Sequence, residues 1–143
     1  MARISIWNMA FGFLLLFFAA CAGAFVSFDM TDAFLKDPAL LDSWQLTLMK
    51  SAHGHTNLFG MLHVMFGLTL PYSRLADKFK LWQSYGLVAG SVAMGPLMMI
   101  KAYGGPQQSF DPIGLCIGVC LSGSLVCLGT HAAALFYRLL RYP

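Results

Sequence analysis

Long apolar runs dominate this chain, separated by short polar connections. Four runs, at roughly 6–28, 46–70, 81–103 and 112–137, are long enough to cross a bilayer as helices, which takes about 20 residues each. They account for most of the 143 residues. The pattern predicts an all-α membrane protein: a single integral domain over 1–143, with four transmembrane helices packed up and down and no soluble appendage. The first run has the Arg3 start and the small residues Ala19 to Ala24 of a signal peptide. Its apolar stretch continues to Phe28, too far for a signal core, so it is expected to stay as an anchor.

Features inside the runs suggest packing before chemistry. Gly114, Gly118 and Ser122 recur every four residues on the fourth expected helix, and Gly86 and Gly90 do so on the third, the spacing of close helix contacts. Pro96 should remove a backbone hydrogen bond and bend the third helix, with Met94, Met98 and Met99 as adaptable filling around it. Cys21, Cys116, Cys120 and Cys127 all lie within spans, contain no Cys-x-x-Cys pair, and read as small apolar side chains. Between the first two spans, Asp29 to Asp42 is too short for a domain. Pro38 should open a short segment resting Leu40, Leu41 and Trp44 on the interface.

Composition agrees with the pattern. The chain is 58% hydrophobic and 10% charged and has no glutamate, whereas about a quarter of the residues of a soluble domain are charged. Arg3, Arg74, Lys78, Lys80, Arg138 and Arg141 fall on one side of a four-helix topology, opposed only by Asp77. By the positive-inside rule that side is cytoplasmic, which predicts a bacterial inner membrane protein with both termini inside. No basic stripe, phosphate-binding loop or nucleophile with its base is present. Nucleic acid is therefore not an expected partner; the lipid bilayer is.

The chemistry sits at the start of the second run, in Ser51-Ala52-His53-Gly54-His55-Thr56-Asn57. Imidazole is costly in lipid and is a preferred ligand of iron, copper and zinc. On a helix, His53 and His55 point about 200° apart, so one metal cannot take both from one chain. From His53, steps of four and seven reach Asn57 and Gly60, then Val64 and Gly67, a face on which a flat macrocycle is expected to find room. From His55 the same steps reach Phe59, Leu62 and Phe66, an aromatic and aliphatic wall. His63 lies deeper, on the flank between these faces, and His131 lies near the cytoplasmic end of the fourth helix. For both, a hydrogen bond to a neighbouring helix competes with ligation.

Ala52-His53-Gly54-His55, followed by Asn57, Gly60, Met61, Phe66, Gly67 and Pro71, resembles the haem-ligating helices of haem-copper oxidase subunit I over about 25 residues. His53 matches the second-helix histidine and the first histidine of the tenth-helix pair of that family, and His55 matches the second. The resemblance implies a chain equivalent to one arc, one third, of the oxidase core. It also implies a homotrimer in which His55 of one subunit and His53 of the next clasp a haem b. No copper-binding helix, histidine pair for copper or histidine–tyrosine motif is present, so proton-pumping oxygen reduction is not implied.

The expected function is electron transfer or binding of oxygen or nitric oxide at a membrane haem, with a quinone or another respiratory component as redox partner. His53 and His55 are the expected metal ligands, and Asn57, Gly60 and His63 the other cofactor-lining residues. A copper site built from His53, His55, His63, Met61 and Met65 is the first alternative. A cofactor-free structural or assembly subunit of a respiratory complex is the second.

Overall fold

The computed structural model describes residues 3–107 and 109–141. Helix α1 spans Arg3–Lys36 and stops where Asp37 and Pro38 begin a 3-10 turn, Pro38–Asp42. Proline has no amide to give the preceding helix, and the Asp37 side chain instead accepts from the Ala39 N–H at 3.0 Å. Ser43 then caps α2, Trp44–Thr69, by accepting from the Leu46 N–H at 3.4 Å. A 3-10 turn, Leu70–Tyr72, leads to α3, Asp77–Val92. A π-helical turn, Ala93–Leu97, joins α3 to α4, Met98–Gly104. The last helix, α5, spans Pro112–Arg141.

The expected bend at Pro96 takes the form of that π turn. Proline lacks an N–H and its ring crowds the carbonyl one turn back, so the helix widens for one turn and continues. Met94 is buried there, as a packing residue. The expected outer loop is shorter than the sequence suggests, because α1 runs on through Asp29 and Asp32, and Lys36 pairs with Asp32 at 2.6 Å across one turn.

Helices run up and down. Gly12 lies against Gly60 and Gly67 against Ser5, which sets α1 antiparallel to α2. Gly90 against Ser124 does the same for α3 and α5. A Cβ on Gly12 would stand 2.6 Å from the Gly60 carbonyl oxygen, so glycine is what lets the α1 and α2 backbones touch. Phe59, Phe66, Leu70, Leu87, Ala93, Met94 and Ile117 form the main core, between α2 and the α3–α5 pair.

Three helical segments are long and apolar enough to cross a bilayer: Arg3–Lys36, Asp77–Gly104 and Pro112–Arg141. The expected four become three because α2, though 26 residues long, carries Lys50, His53, His55, Asn57 and His63. It is the most enclosed helix, packed by α1 on one side and by α3 and α4 on another. The apolar wall facing outward comes from its neighbours, above all α5, which exposes Leu115, Val119, Leu125 and Val126. The small-residue reading holds for both members on α3 and for one of three on α5, where Gly114 meets the Lys101 side chain of α4. Gly86 and Gly90 do pack on α5, against Cys127 and Ser124, but Gly118 has open space around it and Ser122 is exposed.

Candidate functional site

His53 and His55 occupy opposite edges of the outward side of α2, whose centre is marked by the exposed Gly54, Leu58, Met61 and Met65. Both are half-buried. The Nδ1 of His55 lies 2.8 Å from the Ser51 carbonyl oxygen. A carbonyl only accepts, so Nδ1 carries the proton and Nε2 keeps its lone pair. That arrangement orients a ligating histidine, and Nε2 has no hydrogen-bond partner among the described residues.

His53 turns the other way, toward α1. Its ring covers Gly23, where a Cβ would stand 2.7 Å from Cε1. The Asn57 Nδ2 donates to the His53 carbonyl at 3.2 Å and to Nε2 at 3.3 Å. Nε2 is then an acceptor and Nδ1 bears the proton, yet Nδ1 is buried without a partner. The ring forms part of the wall of an open groove of about 480 Å³ between the C-terminal part of α1 and the N-terminal part of α2, shared with Val26, Met30, Phe34 and Lys50.

The face expected to hold a macrocycle is filled. Gly60 meets Leu16 and the Gly12 carbonyl, and Gly67 meets Ser5 and Met9. The glycines leave room, as the sequence suggests, but α1 takes it. Asn57 and Gly60 are thus a partner of His53 and a helix contact respectively.

His63 is fully buried, with both ring nitrogens engaged. Nδ1 lies 3.1 Å from Asn8 Oδ1, and Nε2 lies 3.0 Å from Ser91 Oγ. The Asn8 amide cannot be flipped, because its Nδ2 already donates to the Ile4 carbonyl at 2.9 Å and to Ser84 Oγ at 2.8 Å. His63 Nδ1 must therefore be the donor. Ser91 has two options: its hydroxyl donates to the Leu87 carbonyl at 2.9 Å, or turns to donate to Nε2. The first requires a charged imidazole and the second a neutral one, so the Ser91 hydroxyl follows the proton state of His63. The edge of the Phe11 ring meets the imidazole at 4.8 Å between centroids. The network joins α1, α2 and α3 at the centre of the bundle.

Asn8, Ser84 and Ser91 were not legible as members of this network. The available signal was Asn8 itself, an amide within the first apolar run. His131 meets a hydroxyl on a neighbouring helix: its Nε2 lies 2.9 Å from Thr69 Oγ1 and its ring meets Phe66 at 4.5 Å.

The side chains named for the copper alternative are not brought together in one chain. His63 faces the bundle centre, Met61 and Met65 are exposed on the opposite side of α2, and no group of three or more metal-binding His, Cys, Asp or Glu side chains occurs among the described residues. No protein-family model matches the chain, and neither a curated protein nor a solved structure matches it significantly.

Proposed function

We propose that this chain is a membrane-embedded haem b protein, with His55 as the axial ligand most ready to bind iron. The observation that carries the reading is that His55 keeps the lone pair of Nε2 without a protein partner, in a turn where two histidines are costly in lipid. His55 fits as it stands. His53 fits by giving up its 3.3 Å contact with Asn57 and turning into the groove beside it. Lys50, on the same groove, suits an anionic propionate.

The two ligand edges diverge on α2, so a haem held by both histidines lies between subunits. A cyclic homotrimer uses every edge once and reproduces the three-arc arrangement of the oxidase core that the motif resembles. In that assembly α2 is the fourth spanning helix, its polar residues screened by the other three. The charge bias supports an orientation with both termini in the bacterial cytoplasm and the histidine pair toward the outer leaflet.

Bound haem would supply one-electron transfer if held by both His53 and His55, and gas binding if held by one of them. The chain's own residues set which applies. The Ser51 carbonyl fixes the His55 tautomer, and Asn57 decides whether His53 is held back or released. A quinone or other respiratory redox partner is the expected electron source.

The test is the absorption spectrum of the purified membrane protein, oxidised and reduced. Iron in stoichiometric amounts with a Soret band is expected, and His55→Ala should abolish it. His53→Ala should convert a six-coordinate spectrum to a five-coordinate one. A colourless protein that copurifies with larger partners would overturn the haem reading in favour of an assembly subunit.

A further inference from the structure

Between the N-terminal parts of α1 and α3 lies a cleft of about 390 Å³, lined by Arg3, Ile4, Trp7, Leu81 and Tyr85. It opens on the surface, where Trp7, Leu81 and Tyr85 are 43%, 43% and 55% exposed. A cleft of this size, apolar and aromatic with a few polar groups, has the make-up of a small-molecule site. We infer that it binds the ring of a quinone, a flat conjugated dicarbonyl carried on an apolar tail.

The walls are held in place. Trp7 and Tyr85 are the sequence neighbours of Asn8 and Ser84, whose 2.8 Å hydrogen bond ties α1 to α3 at this level. The Trp7 indole is stacked on Phe11, with 5.4 Å between centroids and 7° between planes, and Phe11 in turn meets His63 edge-on. The indole is thus a fixed flat surface. Such a surface favours a flat occupant, because the ligand ring gains contact without the wall having to be ordered first.

The polar side chains of the cleft all donate. Arg3 offers the five N–H groups of its guanidinium, Trp7 its indole N–H and Tyr85 its hydroxyl. None of the three has a hydrogen-bond or ion-pair partner among the described residues. The Ile4 carbonyl already accepts from Asn8 Nδ2 at 2.9 Å. The cleft therefore offers donors to a ligand that brings acceptors. A quinone brings two carbonyl oxygens and a flat ring together, whereas a phosphate headgroup would use the guanidinium and leave the stacked indole without a role.

Both walls belong to segments long and apolar enough to cross a bilayer, the phase in which a tailed quinone is dissolved. The inference gives the redox partner of the haem reading a place on the chain. Its part in electron transfer rests on that reading; binding does not.

The experiment titrates decyl-ubiquinone into the full chain in phosphatidylcholine nanodiscs and reads tryptophan fluorescence. In Trp44→Phe/Trp82→Phe, which leaves Trp7, quenching should saturate. In Trp7→Phe/Trp44→Phe, which leaves Trp82, 64% exposed and outside the cleft, quenching should rise linearly, as collisions in lipid do. Added to the Trp7-only chain, Arg3→Gln should weaken saturable binding about tenfold and Tyr85→Phe about threefold, the loss of one charge-assisted and one neutral hydrogen bond. Arg141→Gln, at the end of α5, should leave it unchanged. His55→Ala should also leave the curve unchanged, so that loss of haem and loss of quinone binding are read separately. Linear quenching of Trp7, or saturation indifferent to both Arg3→Gln and Tyr85→Phe, overturns the inference. Saturation that vanishes when phosphatidylglycerol replaces phosphatidylcholine also overturns it, and assigns the cleft to a phosphate headgroup.

Discussion

Replacing Asn8 with leucine should be among the most damaging single changes in the chain, although Asn8 touches neither His53 nor His55. The side chain makes contacts with Ile4, Ser84 and His63 at 2.9, 2.8 and 3.1 Å. Ile4 keeps the backbone bonding of its helix, and Ser84 keeps its bond to the Lys80 carbonyl at 2.8 Å. His63 Nδ1–H has no substitute acceptor and becomes an orphaned buried donor. Two replaceable bonds at about 0.6 kcal/mol each in a membrane setting, plus about 1–3 kcal/mol for the orphan, sum to about 2–4 kcal/mol. His63→Leu should cost a similar amount, because it orphans Asn8 Oδ1 and breaks the Phe11 contact. In the double variant neither orphan exists, so its loss should fall short of the sum by the two orphan costs together, about 2–6 kcal/mol. Unfolding in mixed micelles titrated with dodecyl sulfate, followed by far-ultraviolet circular dichroism, gives all four corners of the cycle. Losses additive to within about 0.5 kcal/mol would refute the coupled network.

Gly12→Val should separate α1 from α2 and cost about 1–3 kcal/mol in the same titration, whereas Gly118→Ala, with open space around it, should stay within about 0.5 kcal/mol. Thr69→Val should leave both nitrogens of His131 unpaired and lower stability by about 1–3 kcal/mol; an unchanged midpoint would remove that bond from the account. The Asp111 carboxyl is held below its ordinary value, first by the hydrogen bond from Lys101 and then by the Gly114 N–H at 2.8 Å. A lowered folded value means that its contribution is complete above 3.8 and is lost as pH falls toward the folded value. The difference in unfolding temperature between wild type and Asp111→Asn should therefore be flat near neutrality and shrink in acid. A difference that grows on acidification would show the sign to be wrong.

The helical architecture was legible because lipid leaves few alternatives: long apolar runs must be helices, and the four expected runs match α1, α2, the α3–α4 segment and α5 to within several residues at their ends. Side-chain destinations were less legible. The direction of a residue around a helix follows from its number, and His53 and His55 do diverge as expected. Which neighbour occupies each direction is a tertiary fact. The glycines of α2 promised space, and the same lack of side chains is what draws α1 in to fill it. His63 stood out as a titratable group in an apolar helix, but its partner Ser91, and Ser84 on the far side of Asn8, look like any helix-contact serines until α3 is laid beside α1 and α2. Arg3 contributed only to a charge count before the fold joined it to Tyr85 at one cleft.

The reduced apolarity of α2 bears on how the chain enters the membrane. Charged residues near the centre of a spanning helix raise its insertion free energy by about 2.5–3.5 kcal/mol each, and α2 carries Lys50 toward one end together with histidines and an asparagine along its length. Alone it is a poor stop signal for the translocation machinery. Its partner is already available: α1 precedes it across a single 3-10 turn and presents Gly12 and Gly23 to Gly60 and His53. Entry as a hairpin would let α1 withdraw part of the polar surface of α2 from lipid as it arrives. His63 would then wait for Ser91 on α3. Delivery of the histidine-bearing helix would thereby be tied to the synthesis of its neighbours, and a chain truncated before α3 should release α2 to the aqueous side.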